Sequence, residues 1–416
     1  MNHKKNRHIA SPRVLLTLVP VLAGLFFVVH RTLISAAGEN LAVAPVDEVE
    51  ELKVMTPMDS LVATFDTLFT DLINTHGAVG TATVITHNNS IIYQKCTGTT
   101  KAGGTDSIDT GTLFRLASVS KPVTGVLAGI LHRDSVVRLD DPVIGYLPGF
   151  RLKDSISTHS LTVRNLLSHT SGLVPHAYDN LVEAKVSFRE IMDSLWRVNL
   201  SDIPGRLYGY QNVMFSLYDT IVETRTGQPF KTLIHEKLFR PLGMPYASTG
   251  FNPFAESNNK AFPHVRTSSG FHTIKLNDRY YNTIPAAGIN ASIADMGQFL
   301  LAMTTRDPHL LHPQVIDTVI TPQVISPLRR VYLRRWNGVE SKHYGLGWRI
   351  IGYNGCQVAY HGGYVRGYRA EIAFCREQGI GIAFLTNSPG RLGSYVIPAF
   401  LDLYFEKMGY PGSERQ

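Results

Sequence analysis

Phe114-Arg115-Leu116-Ala117-Ser118-Val119-Ser120-Lys121 is the stretch on which the reading of this chain turns. Within it, Ser118 and Lys121 stand three positions apart at the opening of a helix, so both side chains leave the same face. A serine hydroxyl is a weak nucleophile until a base takes its proton. A lysine becomes that base when burial or neighbouring positive charge lowers its pKa. Ser118 also falls near the positive end of the helix dipole, where developing negative charge is stabilised. The stretch reads as the centre of an acyl-transferring serine enzyme.

The pattern S-x-x-K is short, and about one or two copies arise by chance in a chain of this size. The plain alternative is an N-cap serine followed by a solvated lysine. A second copy, Ser257-Asn258-Asn259-Lys260, lies in the polar run from Glu256 to Lys260 and reads as a surface loop. The first copy is followed by Val123, Val126, Leu127, Ile130 and Leu131, the spacing of a helix with a buried face.

The chain has 416 residues, enough for one large domain or two ordinary ones. Its net charge of +7 suggests nucleic acid until the charges are placed. Lys4, Lys5, Arg7, Arg13 and Arg31 supply five of the seven within the first 37 residues, which contain no acid. The remaining excess is too small for a nucleic-acid surface. Val14 to Val29 is a charge-free run of sixteen residues behind four cations. It is an export signal or a single membrane anchor, with Ser35-Ala36-Ala37 as a candidate cleavage site. Either way the bulk of the protein is expected outside the cytoplasmic membrane, periplasmic or at the cell surface. The three cysteines, Cys96, Cys356 and Cys375, make neither a disulfide framework nor a zinc pattern. Cys356 and Cys375 flank a turn near Val365-Arg366 and are either bonded across it or two core thiols.

The remaining pattern predicts an α/β fold. Residues 38–55 read as an acidic linker. Thr56-Pro57 opens a helix with Leu61, Phe65, Leu68 and Leu72 on one face, closed by Gly77. Val79 to Thr86 and Ser90 to Cys96 alternate around His87-Asn88-Asn89 as a strand hairpin. Helical periodicity dominates from about 118 to 280. Further helix follows, then three strand-like runs ending at Leu385–Asn387 and a last helix from Tyr395 to Lys407. Strands at both ends imply one antiparallel sheet flanked by helices, with the helical middle as an inserted lobe in a domain spanning 56–416. The pairs Arg329-Arg330 and Arg334-Arg335 read as a solvated loop.

A serine acyl transfer also needs a proton relay, an oxyanion hole and a strand to align substrate. Tyr210-Gln211-Asn212 follows Pro204-Gly205 and begins a helical stretch. His361-Gly362-Gly363 ends a strand-like run, and the Tyr364 amide is placed to join that of Ser118 around an oxyanion. These residues lie within a series of short motifs: Asp141-Pro142 with Leu147-Pro148, the run Leu161 to Leu173, Pro241-Leu242-Gly243-Met244 and Tyr344-Gly345-Leu346-Gly347-Trp348. In this order and spacing the chain, from about 58 to 408, resembles the serine β-lactamase and penicillin-binding-protein superfamily. Its nearest branch is that of class C β-lactamases, D-Ala-D-Ala carboxypeptidases and esterases. The resemblance implies Ser118 as the acylated nucleophile and Lys121 as its base or proton shuttle. Tyr210 would protonate the leaving group and later activate water, and Asn212 would bond Lys121 and the substrate amide. His361 would stand where many relatives carry a lysine.

Tyr178-Asp179-Asn180 and Tyr280-Tyr281-Asn282 repeat the Y-x-N pattern but lack the preceding Pro-Gly and the following helix. His169, inside a structural signature, reads as a core or helix-end residue. No G-x-S-x-G elbow and no metal pattern occur, and no cofactor or metal is expected. A histidine at 361 is only partly charged near neutral pH, which disfavours an efficient β-lactamase. The expectation is a monomeric acyl-enzyme hydrolase of amides or esters, its substrate a small molecule or peptide, foremost a cell-wall peptide of D-amino acids, with β-lactams as substrate or inhibitor. A carboxylesterase and a poorly catalytic penicillin-binding sensor are the competing readings.

Overall fold

A sheet drawn from both ends of the chain carries the serine stretch. The computed structural model describes residues 55–305, 307–327, 333 and 335–409. The apolar run Val14 to Val29, most of the acidic linker, and Arg329, Arg330 and Arg334 lie outside the described residues. Among the described residues no helix is long and apolar enough to cross a membrane.

The sheet has eight strands: β1 (Gly80–His87), β2 (Ser90–Gly98), β3 (Val324–Ile325), β4 (Val339–Tyr344), β5 (Arg349–Tyr353), β6 (Cys356–Val365), β7 (Tyr368–Cys375) and β8 (Ile380–Thr386). Their spatial order is β2-β1-β8-β7-β6-β5-β4-β3, and every neighbouring pair is antiparallel. The β1–β2 hairpin is tighter than the sequence suggests: His87 pairs with Ser90, leaving Asn88 and Asn89 as its loop. Asn88 takes φ 49°, which asparagine tolerates better than most residues. β8 is buried along its whole length, as its unbroken apolar run implies.

The alternation of side chains feeds two cores. Ile382 and Phe384 face α1 (Pro57–His76) and its partner helix Gly393–Lys407, whereas Ala383 and Leu385 face the opposite layer. Thr56 and Asp59 cap α1 reciprocally, and Phe65 meets Phe400 edge-on at 5.2 Å. The fully buried face of α1 is Leu61, Phe65 and Phe69; Leu68 and Leu72 are only partly covered. The predicted face steps by three from Phe65 to Leu68, whereas the observed one keeps a step of four to Phe69.

On the other face, α2 (Ser120–Arg133) is buried from Ser120 to Leu131. The Tyr344–Trp348 motif fixes its depth: a Cβ on Gly347 (φ 81°) would lie 2.2 Å from the Lys121 carbonyl oxygen. Only glycine lets this loop press on α2 at the lysine. Between α2 and Ile284 the chain is mostly short helices and α3 (Asn212–Thr226), interrupted by the short strand Ser248–Thr249 and an antiparallel hairpin of His264–Thr267 with Gly270–Thr273, and α4 (Ile293–Thr304) lies on β1 and β8. Lys260 donates to the Ser257 carbonyl at 2.5 Å, so the second S-x-x-K copy closes on itself in a loop after a short helix. Cys356 and Cys375 are free thiols. Their sulfurs and a Glu377 carboxylate oxygen lie within 4.8 Å of one another, and burial pushes the Cys375 thiol up to about 12.

Candidate active site

Ser118 sits in a single tight turn, Ala117–Val119, that leads directly into α2. Ala117 holds φ 48°, a left-handed conformation that costs an alanine on the order of 1 kcal/mol and aims the turn. The turn rests on the open edge of β6. The β5–β6 register ends at Arg349 opposite Tyr360, so β6 from His361 onward has no partner on that side. A Cβ on Gly363 would stand 2.3 Å from the Leu116 carbonyl oxygen and 3.0 Å from the amide nitrogens of Ser118 and Val119. The glycine therefore brings the strand backbone, with the Tyr364 amide next in line, against the serine amide. Tyr364 turns its side chain out to solvent.

Lys121 is fully buried, and its Nζ lies 3.5 Å from Ser118 Oγ. Nζ donates to Asn212 Oδ1 at 2.7 Å and to the Ala286 carbonyl at 3.0 Å. The rings of Tyr210 and Phe215 cover it at 4.6 and 5.6 Å. No carboxylate touches it among the described residues. Burial pulls its pKa well below the ordinary lysine range; Arg349 adds to that, and the charge of Asp179 opposes it. A free amine has two hydrogens and one lone pair. With both hydrogens spent on Asn212 and Ala286, the lone pair is left for the Ser118 hydroxyl.

Tyr210 also hydrogen-bonds Ser118, and burial raises its phenol above the ordinary tyrosine range, so it remains a proton donor at neutral pH. Its loop is held from below by His169, whose ring centroid lies 4.3 Å from that of Tyr210 and whose Nδ1 accepts the Gln211 amide at 3.2 Å. His169 is thus a packed support, as its signature suggested. Asn212 opens α3, and its Nδ2 donates to both Asp179 oxygens at 3.1 and 3.0 Å. Asp179 in turn receives His176 Nδ1 at 2.8 Å. The two rejected Y-x-N tyrosines are engaged elsewhere: Tyr178 donates to the Ser194 carbonyl and Tyr280 to Glu183.

His361 lies beside the site but carries no exposed charge. It is fully buried, Nδ1 donates to the Gly362 carbonyl at 2.9 Å, and Nε2 accepts the Tyr344 hydroxyl at 3.2 Å. Burial, then Arg349 and Lys121, hold its pKa well below the ordinary histidine value. A cation does lie beside Tyr210, and it is Arg349. Its guanidinium lies 5.7 Å from the Tyr210 ring centroid and donates to Tyr208 Oη at 3.3 Å, with no acid paired to it among the described residues. Sequence reading missed Arg349 and Asp179. The second stands in a Y-x-N triplet that had been set aside on its tyrosine.

A model of the Beta-lactamase family matches residues 65–403, most of the chain. The chain belongs to that family. Among its relatives, the unguisins hydrolase ungD' of Aspergillus campestris is 25% identical over 67% of this chain and 53% of that protein. Esterase EstB of Burkholderia gladioli is 29% identical over 44% and 50%. The D-alanyl-D-alanine-carboxypeptidase/endopeptidase AmpH of Escherichia coli is 27% identical over 40% and 44%. The matched segments thus span about half of these proteins. The octameric penicillin-binding protein homologue from Pyrococcus abyssi shares the fold, with a TM-score of 0.70 and 20% identity, covering 85% of this chain and 78% of that one. The family and its named hydrolases make this chain a serine hydrolase.

Proposed function

We propose that this hydrolase cleaves peptides of D-amino acids that end in a free carboxylate, through an acyl-enzyme at Ser118. The observation that carries the catalytic part is Lys121, buried with no carboxylate in contact among the described residues and 3.5 Å from Ser118 Oγ. In this reading Lys121 takes the hydroxyl proton as Oγ attacks the carbonyl, and the amides of Ser118 and Tyr364 hold the resulting oxyanion. Tyr210 gives its proton to the departing amine as the C–N bond breaks, and the Lys121 ammonium restores it. Water then attacks the ester, with Tyr210 and Lys121 moving its proton. Asn212 steers the lysine and the substrate amide. Arg349, beside the tyrosine that protonates the leaving group, binds the terminal carboxylate, a role that neutral His361 does not fill. The run Val14 to Val29 supports a protein exported or anchored with this domain outside the membrane.

The test begins with intact-mass spectrometry of the protein with a penicillin, with Ser118→Ala as control. A lasting adduct on Ser118 supports the acyl-enzyme; penicillin consumed without an adduct makes the enzyme a β-lactamase. Rates on a peptide ending in D-Ala-D-Ala should exceed those on its C-terminal amide, and Arg349→Gln should remove that difference. A second reading, hydrolysis of small neutral esters, is favoured by the neutral state of His361. A short-chain ester cleaved faster than either peptide would establish it.

A further inference from the structure

Tyr364, which follows the glycines beside Ser118, also lines a cleft of about 640 Å³. Tyr364, Val365 and Arg366, the residues that follow the glycines of β6, form one wall, and Arg266, Arg279 and Tyr280 face them. One feature ties the cleft to the catalytic centre. Tyr364 contributes its backbone to the serine site and its exposed ring to the cleft. Tyr280, held by Glu183 at 2.9 Å, follows Arg279 in the opposing lining and stands two residues before Asn282, which is anchored to the Val186 carbonyl at 2.9 Å.

The lining is lopsided in charge. Three guanidinium groups face one carboxylate, Glu183, and that carboxylate already accepts the Tyr280 hydroxyl. Arg266 donates to the His76 carbonyl at 3.0 Å and lies over Phe271, contacts that leave its charge uncompensated. None of Arg266, Arg279 and Arg366 forms an ion pair among the described residues. All three are exposed, so they are available to an anion without a desolvation cost already sunk into the fold.

A substrate laid along the open edge of β6 has a direction. In the acyl-enzyme reading above, its leaving group would lie at the Arg349 and Tyr210 end and its acyl portion would run past Ser118 toward Arg366. We infer that the cleft beyond Tyr364 is an acyl-side subsite that selects acyl groups bearing a carboxylate. This inference rests on the acyl-enzyme reading above, but not on the leaving group being a D-amino acid. Guanidinium forks bind carboxylates bidentately, and a cleft of one sign concentrates anions before they dock.

The experiment compares two activated esters with the same p-nitrophenol leaving group, p-nitrophenyl hydrogen glutarate and p-nitrophenyl valerate, on the intact protein. Only the terminal carboxylate of the acyl group differs in kind. We expect kcat/KM for the acidic ester to exceed that for the neutral one by about tenfold at low salt, a preference that screening reduces at high salt. The double variant Arg279→Ala/Arg366→Ala should bring the ratio to about one, and Arg366→Glu should push it below one. Equal rates in the natural protein, or a preference unchanged by both variants, overturn the inference and leave the acyl-enzyme standing. No turnover of either ester, and no Ser118 adduct, removes the acyl-enzyme reading and the inference with it.

Discussion

Tyr360 and His361 are neighbours on β6, yet they open onto two opposite ways of burying charge. On the Tyr360 side, Glu371 is 2% exposed and fully matched: Tyr360 donates to one carboxylate oxygen at 2.5 Å and Arg369 to the other at 2.6 Å. On the His361 side, Lys121, His169 and His361 are all buried, and no carboxylate touches any of them among the described residues. Asp179 reaches Lys121 only through Asn212. The matched group holds the sheet together. Burial biases the unmatched ones toward their neutral forms, and a lysine so biased can serve as a base. Pairing Lys121 directly to an acid would raise its pKa and remove the chemistry.

The sharpest way to break this contrast is Lys121→Met. Removing the base should slow acylation of Ser118 by about 10³-fold or more, while the melting temperature holds or rises because a buried amine is replaced by a thioether. A pre-steady-state burst and a thermal melt read both; a lower melting temperature with retained acylation would sink the assignment. Glu371→Ala is the mirror experiment. It leaves the Arg369 guanidinium, only 25% exposed, without its acid and should cost about 3 kcal/mol in urea unfolding. An unchanged unfolding free energy would show that the matched cluster is not structural.

Acidity sharpens the contrast next. His169 and His361 have folded pKa values depressed below their unfolded ones, so the unfolded chain binds more protons in that window. Their stability contribution is complete above pH about 6.5 and is lost as pH falls toward the depressed values. Unfolding free energy should therefore drop from pH 7 to pH 5, and His361→Asn should flatten that slope. The smallest effect belongs to Asp179→Asn. Loss of its charge removes the influence that raises the Lys121 pKa, so the acid limb of the rate profile should move to lower pH, with kcat down about tenfold from a less firmly held Asn212. A fall in kcat with an unmoved acid limb would reduce Asp179 to a packing role.

Much of this was legible in the chain. The amphipathic run after Lys121, the Pro-Gly before Tyr210 and the alternation of residues 79–96 are local signals, and local signals survive without a structure. The pairing of terminal strands also followed, since isolated strands at both ends must find each other. Arg349 did not follow. It enters the site because the antiparallel register stops at Tyr360, a property of two strands rather than of either sequence. Asp179 was hidden because its role comes through Asn212, 33 positions away, while its own triplet was judged by its tyrosine. The state of His361 was misjudged for a related reason. Ordinary histidine titration presumes water, and the Tyr344 hydroxyl and Gly362 carbonyl occupy both ring nitrogens.

The meeting of the two chain ends in one sheet also sets an order of assembly. A ribosome delivers Ser118 and Lys121 long before it delivers Gly363, whose backbone forms the facing wall, and before β8, which β1 needs on its inner edge. Until the last strands emerge, the serine has a neighbour but no pocket. A chain that stops short of β6 lacks the strand on which the Ser118 turn rests, and with it one wall of the site.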